Sequence, residues 1–406
     1  MNKDKINILL STLNFVLCFV GFQFATSIFL PAVSDMENIT RIVTIPYRAF
    51  ALLISLIVLI LNFKNRIHKP ISLNIFLFFW LILIFRLIYD VFIRTDVNIV
   101  DTSQLWLYVF GICLPAVFSI MKSSKKIDLD IAFRFIFILT GLILMLTLFT
   151  NQLLLVNPDN LDERMDANLA IGTIDFGHLG VTAIILGIFV LLNKETTKFQ
   201  KFLLFIFVFL GMFSALRAGS RGPILAFFLV FSFWFFASSK NIVTSIFKLL
   251  LVGIFLMIFI DQLLNLMGHI SPIIEDRLKM SIYEGDTSER NPLFQSALAE
   301  FIKNPLFGTQ FALLESDGSF IYSHNIVLDA LMGMGIIGGL SITFILGSAL
   351  KKSYYLIKSK DDHFWIALLL IQQIVFNFLS GAFYYNQLLS ALLVFLFLYY
   401  KQDKND

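Results

Sequence analysis

Residues 202–238, FLLFIFVFLGMFSALRAGSRGPILAFFLVFSFWFFAS, decide how the rest of the chain is read. Two runs dominated by Leu, Ile, Val and Phe are separated by a short turn, Arg217-Ala-Gly-Ser-Arg221-Gly. Each run is continuously apolar and approaches the ~20 residues with which a helix crosses bilayer hydrocarbon. A barrel strand would alternate apolar and polar positions instead. The two arginines then belong to the water-facing turn between two spanning helices.

The same pattern extends almost end to end. Of 406 residues, 58% are hydrophobic and 15% charged, 47 are Phe, and mean hydropathy is +0.83. A soluble domain is about half apolar and a quarter charged, so a soluble enzyme, a nucleic-acid binder and a disordered scaffold are excluded. Apolar runs bounded by polar clusters predict twelve spans, at 8–30, 45–62, 72–93, 104–121, 131–153, 173–192, 202–216, 223–238, 242–265, 324–349, 364–381 and 387–400. The eleventh carries Gln372, Gln373 and Asn377, and the twelfth is short. The run after Lys3 and Lys5 exceeds an ordinary signal-peptide core, so a retained first helix is expected. The fold expected is an all-α polytopic integral membrane protein, one membrane domain over residues 1–406. Cys18 and Cys113 both lie in apolar stretches, which argues against a disulfide framework or a cysteine metal site.

Charge sets the orientation. With a cytoplasmic N-terminus, the inner segments hold 18 basic residues, of which 17 are Lys. The outer segments hold nine: Arg41, Arg94, Arg164, Arg217, Arg221, Arg277, Lys279, Arg290 and Lys303. This is the positive-inside bias, and it places both termini in the cytoplasm. Topology explains the inner lysines but not the outer arginines. A guanidinium grips phosphate or carboxylate with two parallel donors, so the outer face reads as an anion-handling surface. Two outer segments are long: 154–172, and 266–323, in which Pro292–Lys303 predicts a short amphipathic helix stopped by Pro305 and Gly308.

Several motifs could carry chemistry. Arg217 and Arg221 either approach an anion across a glycine-rich turn or snorkel to lipid headgroups. Ser323-His324-Asn325 opens span 10. His324 is either a general base or a capping, hydrogen-bonded interfacial side chain, and the glycines at 333, 335, 338 and 339 suit close helix packing. Arg290 opens the amphipathic helix, as an anion ligand or as a solvated helix end. Arg164 sits among Asp159, Asp162, Glu163 and Asp166, where a surface salt bridge is the plainer reading. Arg86 and Asp90, at i and i+4 within span 3, form either an intramembrane functional pair or a self-neutralised structural one. No HExxH, P-loop or G-x-S-x-G signature occurs.

In order, RAGSRGPILAF, then Arg290 ahead of Pro305-Leu-Phe-Gly308, then SHNIVLDALMGMGIIGG resemble the O-antigen ligase and O-antigen polymerase (Wzy) superfamily of bacterial envelopes. The resemblance runs over about 215–345. It implies a GT-C-like, metal-independent and cofactor-free glycosyltransferase in the bacterial inner (plasma) membrane. Its partners would be an undecaprenyl-diphosphate-linked oligosaccharide donor and acceptor and the membrane lipids, with a chain-length regulator and a flippase beside them. By position, His324 would deprotonate an acceptor hydroxyl, Arg221 and Arg290 would hold the donor diphosphate, and Arg217 and Arg164 would assist. Transfer would invert the anomeric centre. A polymerase of repeat units, making O-antigen or capsular polysaccharide, is the leading expectation, because polymerases are the more numerous members. A ligase delivering glycan to a lipid A core or to protein is the alternative. A flippase for the same lipid-linked glycan is disfavoured, since it needs charges deep in several spans.

Overall fold

A long apolar segment surrounded by lipid must satisfy its backbone polar groups within itself, which leaves the helix as the form for continuous runs. The computed structural model describes residues 2–29, 37–67, 69–94, 106–150, 164–168, 170–285, 290–314 and 320–399. The helices, in order, are α1 (Lys3–Phe29), α2 (Glu37–Asn62), α3 (Ile71–Phe92), α4 (Leu107–Lys126), α5 (Leu129–Thr150), α6 (Thr173–Asn193), α7 (Lys198–Arg217), α8 (Arg221–Ser238), α9 (Ile242–Ile258), α10 (Ile260–Gly268), α11 (Pro272–Lys279), α12 (Arg290–Lys303), α13 (Ile326–Lys358), α14 (Trp365–Leu379) and α15 (Gln387–Tyr399).

Among the described residues, nine helices are long and apolar enough to cross a membrane: α1 to α8 and α13. A tenth crossing results if α9 and α10, bent by 65°, count as one. The twelve expected spans are therefore not confirmed among the described residues. The last two apolar runs are helical, but with 15 and 13 residues they reach only about 20 Å, against ~30 Å of hydrocarbon. What shortens them is a break. After Leu379 the chain leaves the helix through Ser380 and Gly381, makes a 3₁₀ turn at Phe383–Tyr385, and re-enters at Gln387. The polar Gln372, Gln373 and Asn377 lie on the approach to it. Non-helical backbone in such a bundle is tolerated where protein encloses it, and Ser380, Ala382, Phe383 and Tyr384 are buried here.

α6, α14 and α15 form the centre, with α14 against α8, α13 and α6, and α7 laid along α6. α15 is buried from Leu389 to Leu398. α9 is peripheral, with Val243 75% and Met257 77% exposed, as lipid-facing side chains are.

The loop expected over 266–323 is folded in its described parts. α12 begins at Arg290, two residues before the expected start, so Arg290 joins its first turn. Ala297 of α12 packs on Leu313 and Met332. A minimal hairpin, β1 (Leu313–Leu314) and β2 (Phe320–Ile321), follows.

The Pro305-Leu-Phe-Gly308 turn closes the loop onto α13. At Gly335 the helix is broken, with φ +65 and ψ −160. The break frees two backbone groups, and the turn takes both: Ile336 N–H donates to Pro305 C=O at 2.8 Å, and Thr309 N–H donates to Met332 C=O at 2.7 Å. A Cβ at Gly335 would collide with the Leu306 carbonyl, and one at Gly308 with the Met332–Met334 backbone. The glycine-rich stretch thus does not mediate the helix-to-helix packing the sequence suggested. Gly333 and Gly335 admit a loop, and Gly338 and Gly339 lie against side chains of their own helix.

Arg86 locks this joint. Its Nε donates to Asp90 at 2.9 Å, and its terminal nitrogens donate to the carbonyls of Phe307 (2.9 Å), Gly308 (3.2 Å) and Thr309 (2.6 Å). Arg94 adds a second bond to Thr309 C=O at 2.6 Å. Of the two readings of the Arg86–Asp90 pair, the structural one holds.

Candidate functional site

The turn after α7 sets the site's floor. Gly219 takes φ +60, and its backbone lies against the aliphatic stem of Arg164. Met165 N–H donates to Arg217 C=O at 3.2 Å, so the 164–168 segment is stitched to this turn. α8 then starts at Arg221, whose guanidinium donates to Arg277 C=O at 3.2 Å and to Ser281 Oγ. Arg277 in turn donates to Gly219 C=O at 3.2 Å. α11 therefore folds back over the turn and brings a third arginine to it.

Arg290 completes the group. It donates to Ser380 Oγ at 3.4 Å. Burial lowers its pKa, and the positive charges of Arg221 and Arg277 lower it further, opposed by Tyr322. Arg164 is shifted down likewise, by burial and then by Arg277, opposed by Asp166. These shifts record a like-charge cluster: Arg164, Arg221, Arg277 and Arg290, each half-buried. A guanidinium stays protonated under such shifts, so each of these groups keeps its charge.

Arg217 differs from the other candidates. It ends α7 and is 1% exposed, packed into the protein rather than presented at the surface. Of the acids around Arg164, Asp166 is described and its charge favours the protonated guanidinium. Arg164 is half-buried on the Gly219 turn and donates to Thr173 Oγ1. Asp159, Asp162 and Glu163 lie outside the described residues.

His324 stands beside this group. Asn325 caps α13, its Oδ1 accepting from the N–H groups of Val327 (3.0 Å) and Leu328 (3.2 Å), so the capping role left open for His324 belongs to its neighbour. Ser323 N–H donates to Asp329 Oδ1 at 2.9 Å. Pinned on both sides, His324 adopts φ +57, a conformation that a non-glycine residue holds only when its surroundings impose it. Its ring lies 4.5 Å from that of Tyr322, centroid to centroid. Tyr322 donates to Ser380 C=O at 2.9 Å, so Ser380 links His324's neighbour with Arg290. Burial, with Asp175 and Asp329, pushes the Tyr322 hydroxyl up to about 12, which keeps it a neutral donor.

Tyr322 and Ser380 also belong to the wall of a cavity of about 580 Å³ between α1, α2, α4, α6 and α14, within the range of ligand pockets. The other candidates are not in that wall; they flank it. The sequence reading did not single out Arg277, Tyr322, Ser380 or the cavity. Arg277 stood in the outer-arginine tally with no motif around it. The amides of span 11, noted only as irregular, were the legible sign of the cavity.

Residues 205–343 match the family model Wzy_C, O-antigen ligase. The matched segment holds Arg217, Arg221, Arg277, Arg290 and His324, while Arg164 and most of the cavity wall fall outside it. It is consistent with the O-antigen ligase and polymerase superfamily, whose members are glycosyltransferase-like enzymes. A search of curated proteins returned no match. Among the described residues no cluster of three or more His, Cys, Asp or Glu is arranged to hold a metal ion.

Proposed function

We propose that the protein is an inverting, metal-independent glycosyltransferase of the bacterial inner membrane that polymerises undecaprenyl-diphosphate-linked oligosaccharide repeats at the outer face. The observation that carries this reading is the like-charge arginine cluster gathered beside a conformationally constrained His324. Four half-buried guanidinium groups held together against repulsion call for an anion of high charge density, and a lipid diphosphate presents one at the membrane surface.

In this reading the acceptor hydroxyl oxygen attacks the anomeric carbon of the donor sugar. His324 takes the hydroxyl proton as the new bond forms. The bond from the anomeric carbon to the diphosphate oxygen breaks, and the diphosphate leaves with the electron pair. Arg221, Arg277 and Arg290 stabilise that developing charge, which is the interaction that accelerates the step. Arg164 buttresses the turn on which Arg221 stands, and Arg217 supports it from within. Both termini lie in the cytoplasm, and the cluster faces away from it. The architecture would be GT-C-like, with a chain-length regulator and a flippase as working partners.

A ligase that moves the glycan to a lipid A core or to protein shares this donor chemistry and is favoured by the description of the matching family. Gene deletion followed by electrophoresis of the surface glycan separates the two. Core carrying a single repeat, with the ladder lost, is the result expected of a polymerase. Bare core with glycan retained on the carrier lipid identifies a ligase. Complementation by His324→Ala should fail in either case; rescue would exclude His324 as the base.

A further inference from the structure

We propose that the cavity between α2, α6 and α14 binds the sugar portion of the substrate, and that Arg48 selects for a sugar carrying a carboxylate. This rests on the glycosyltransferase reading above and names the substrate class it would favour.

The wall is made for a hydroxyl-rich ligand. Gln23, Gln372, Gln373 and Asn386 contribute amides, and Tyr47 and Tyr108 contribute rings with polar edges. His178 is 4% exposed, and among the described residues neither of its ring nitrogens has a hydrogen-bond partner. A buried imidazole in that state is costly unless a ligand supplies its bonds. It lines the cavity, packed edge-on against Phe376 at 4.8 Å. Asp175, in the first turn of α6, lines the same space with an exposed side chain and offers acceptors for hydroxyl groups.

Arg48 decides the charge of the ligand. It lies within α2, at the end that carries Arg41, and an ionisable side chain in a spanning helix is a functional candidate by default. One of its nitrogens donates to Tyr108 Oη at 2.7 Å, and its guanidinium lies 4.8 Å over the Tyr108 ring. No carboxylate among the described residues lies within ion-pair distance of it. The contrast with Arg86, saturated by Asp90 and three carbonyls, is direct. A neutral sugar would satisfy the amides, Asp175 and His178 but leave Arg48 unmatched. A uronic acid would match all of them, its carboxylate meeting the guanidinium fork. Ser380 places this chamber next to the arginine cluster, as a glycan attached to a diphosphate requires.

The test uses the full chain in nanodiscs and two soluble disaccharides, one ending in glucuronic acid and the other in glucose at the same position, with binding followed by calorimetry. The acidic disaccharide should bind about tenfold more tightly or better. Arg48→Gln should abolish the difference between the two sugars, and Arg48→Lys should keep part of it. Equal binding of the two sugars to the unaltered protein overturns the proposal, whether or not the variants fold; so does discrimination that survives Arg48→Gln. Binding of undecaprenyl diphosphate is measured in parallel and should be lost in Arg221→Ala but kept in Arg48→Gln. If the carrier lipid fails to bind the unaltered protein while the acidic sugar binds through Arg48, the transferase reading fails and the acidic-sugar chamber stands.

Discussion

Two groups of arginines gather at the loops around α12, and they are treated in different ways. At the joint between α3 and the Pro305–Gly308 turn, Arg86 spends its donors on Asp90 and three backbone carbonyls. At the mouth beside His324, burial lowers the basicity of Arg290 and Arg164, and the neighbouring charges of Arg221 and Arg277 lower that of Arg290 further, as Arg277 does that of Arg164. The residue type is the same; the difference lies in what the fold sets against the charge. A guanidinium matched by the protein is a strut. A set of guanidiniums confined together carries free energy that an anionic ligand would release.

That contrast fixes what each substitution should do. The largest effect on turnover is expected at the mouth: His324→Ala should reduce glycosyl transfer by roughly 10²–10⁴-fold, the range for loss of a general base, with unchanged membrane abundance and unfolding temperature. Arg221→Ala should cost about 10²–10³-fold, as loss of charge stabilisation does. Arg221→Lys should be nearly as damaging, because a point charge cannot reproduce the fork; near-normal transfer by the lysine variant in washed membranes would break the bidentate account.

At the joint the signature should invert. Arg86→Gln leaves Asp90 the longer contact with Arg94, at 3.7 Å, and takes the guanidinium from three carbonyls; it should destabilise by about 3 kcal/mol, so folded protein and activity fall together in a thermal-shift and transfer assay. A variant with normal stability and lost turnover would erase the distinction between the two groups. Gly335→Ala should cost more than about 1 kcal/mol, since it adds a Cβ where φ is positive and where the Leu306 carbonyl already stands. The smallest effect is expected from chelation: transfer by protein treated with EDTA should match the untreated rate.

Much of this was legible in the sequence, for reasons that separate local from distant information. Continuous apolar runs announce helices wherever they occur, and the order of Arg221, Arg290 and His324 survives in one dimension. What pairs with what does not. The Arg86–Asp90 spacing fits a functional or a structural pair equally well, because the deciding partners, the carbonyls of 307–309, are more than two hundred residues away. Arg277 carries no motif, and only the fold-back of α11 brings it to Gly219. The count of spans is not confirmed for a related reason. Hydropathy registers the apolar character of α14 and α15 but not the break at Ser380–Asn386, which lines a cavity assembled from other helices.

The broken helix α13 has a consequence for folding. Its two halves meet at a point where Met332 and Ile336 are satisfied by a turn that precedes them in the chain. The kink in α13 therefore closes its hydrogen bonds only when that turn is folded against it. The last helices, α14 and α15, pack on α13 in their turn. The C-terminal third is thereby interdependent: the loop, the kink and the closure of the bundle around the cavity each rely on the others.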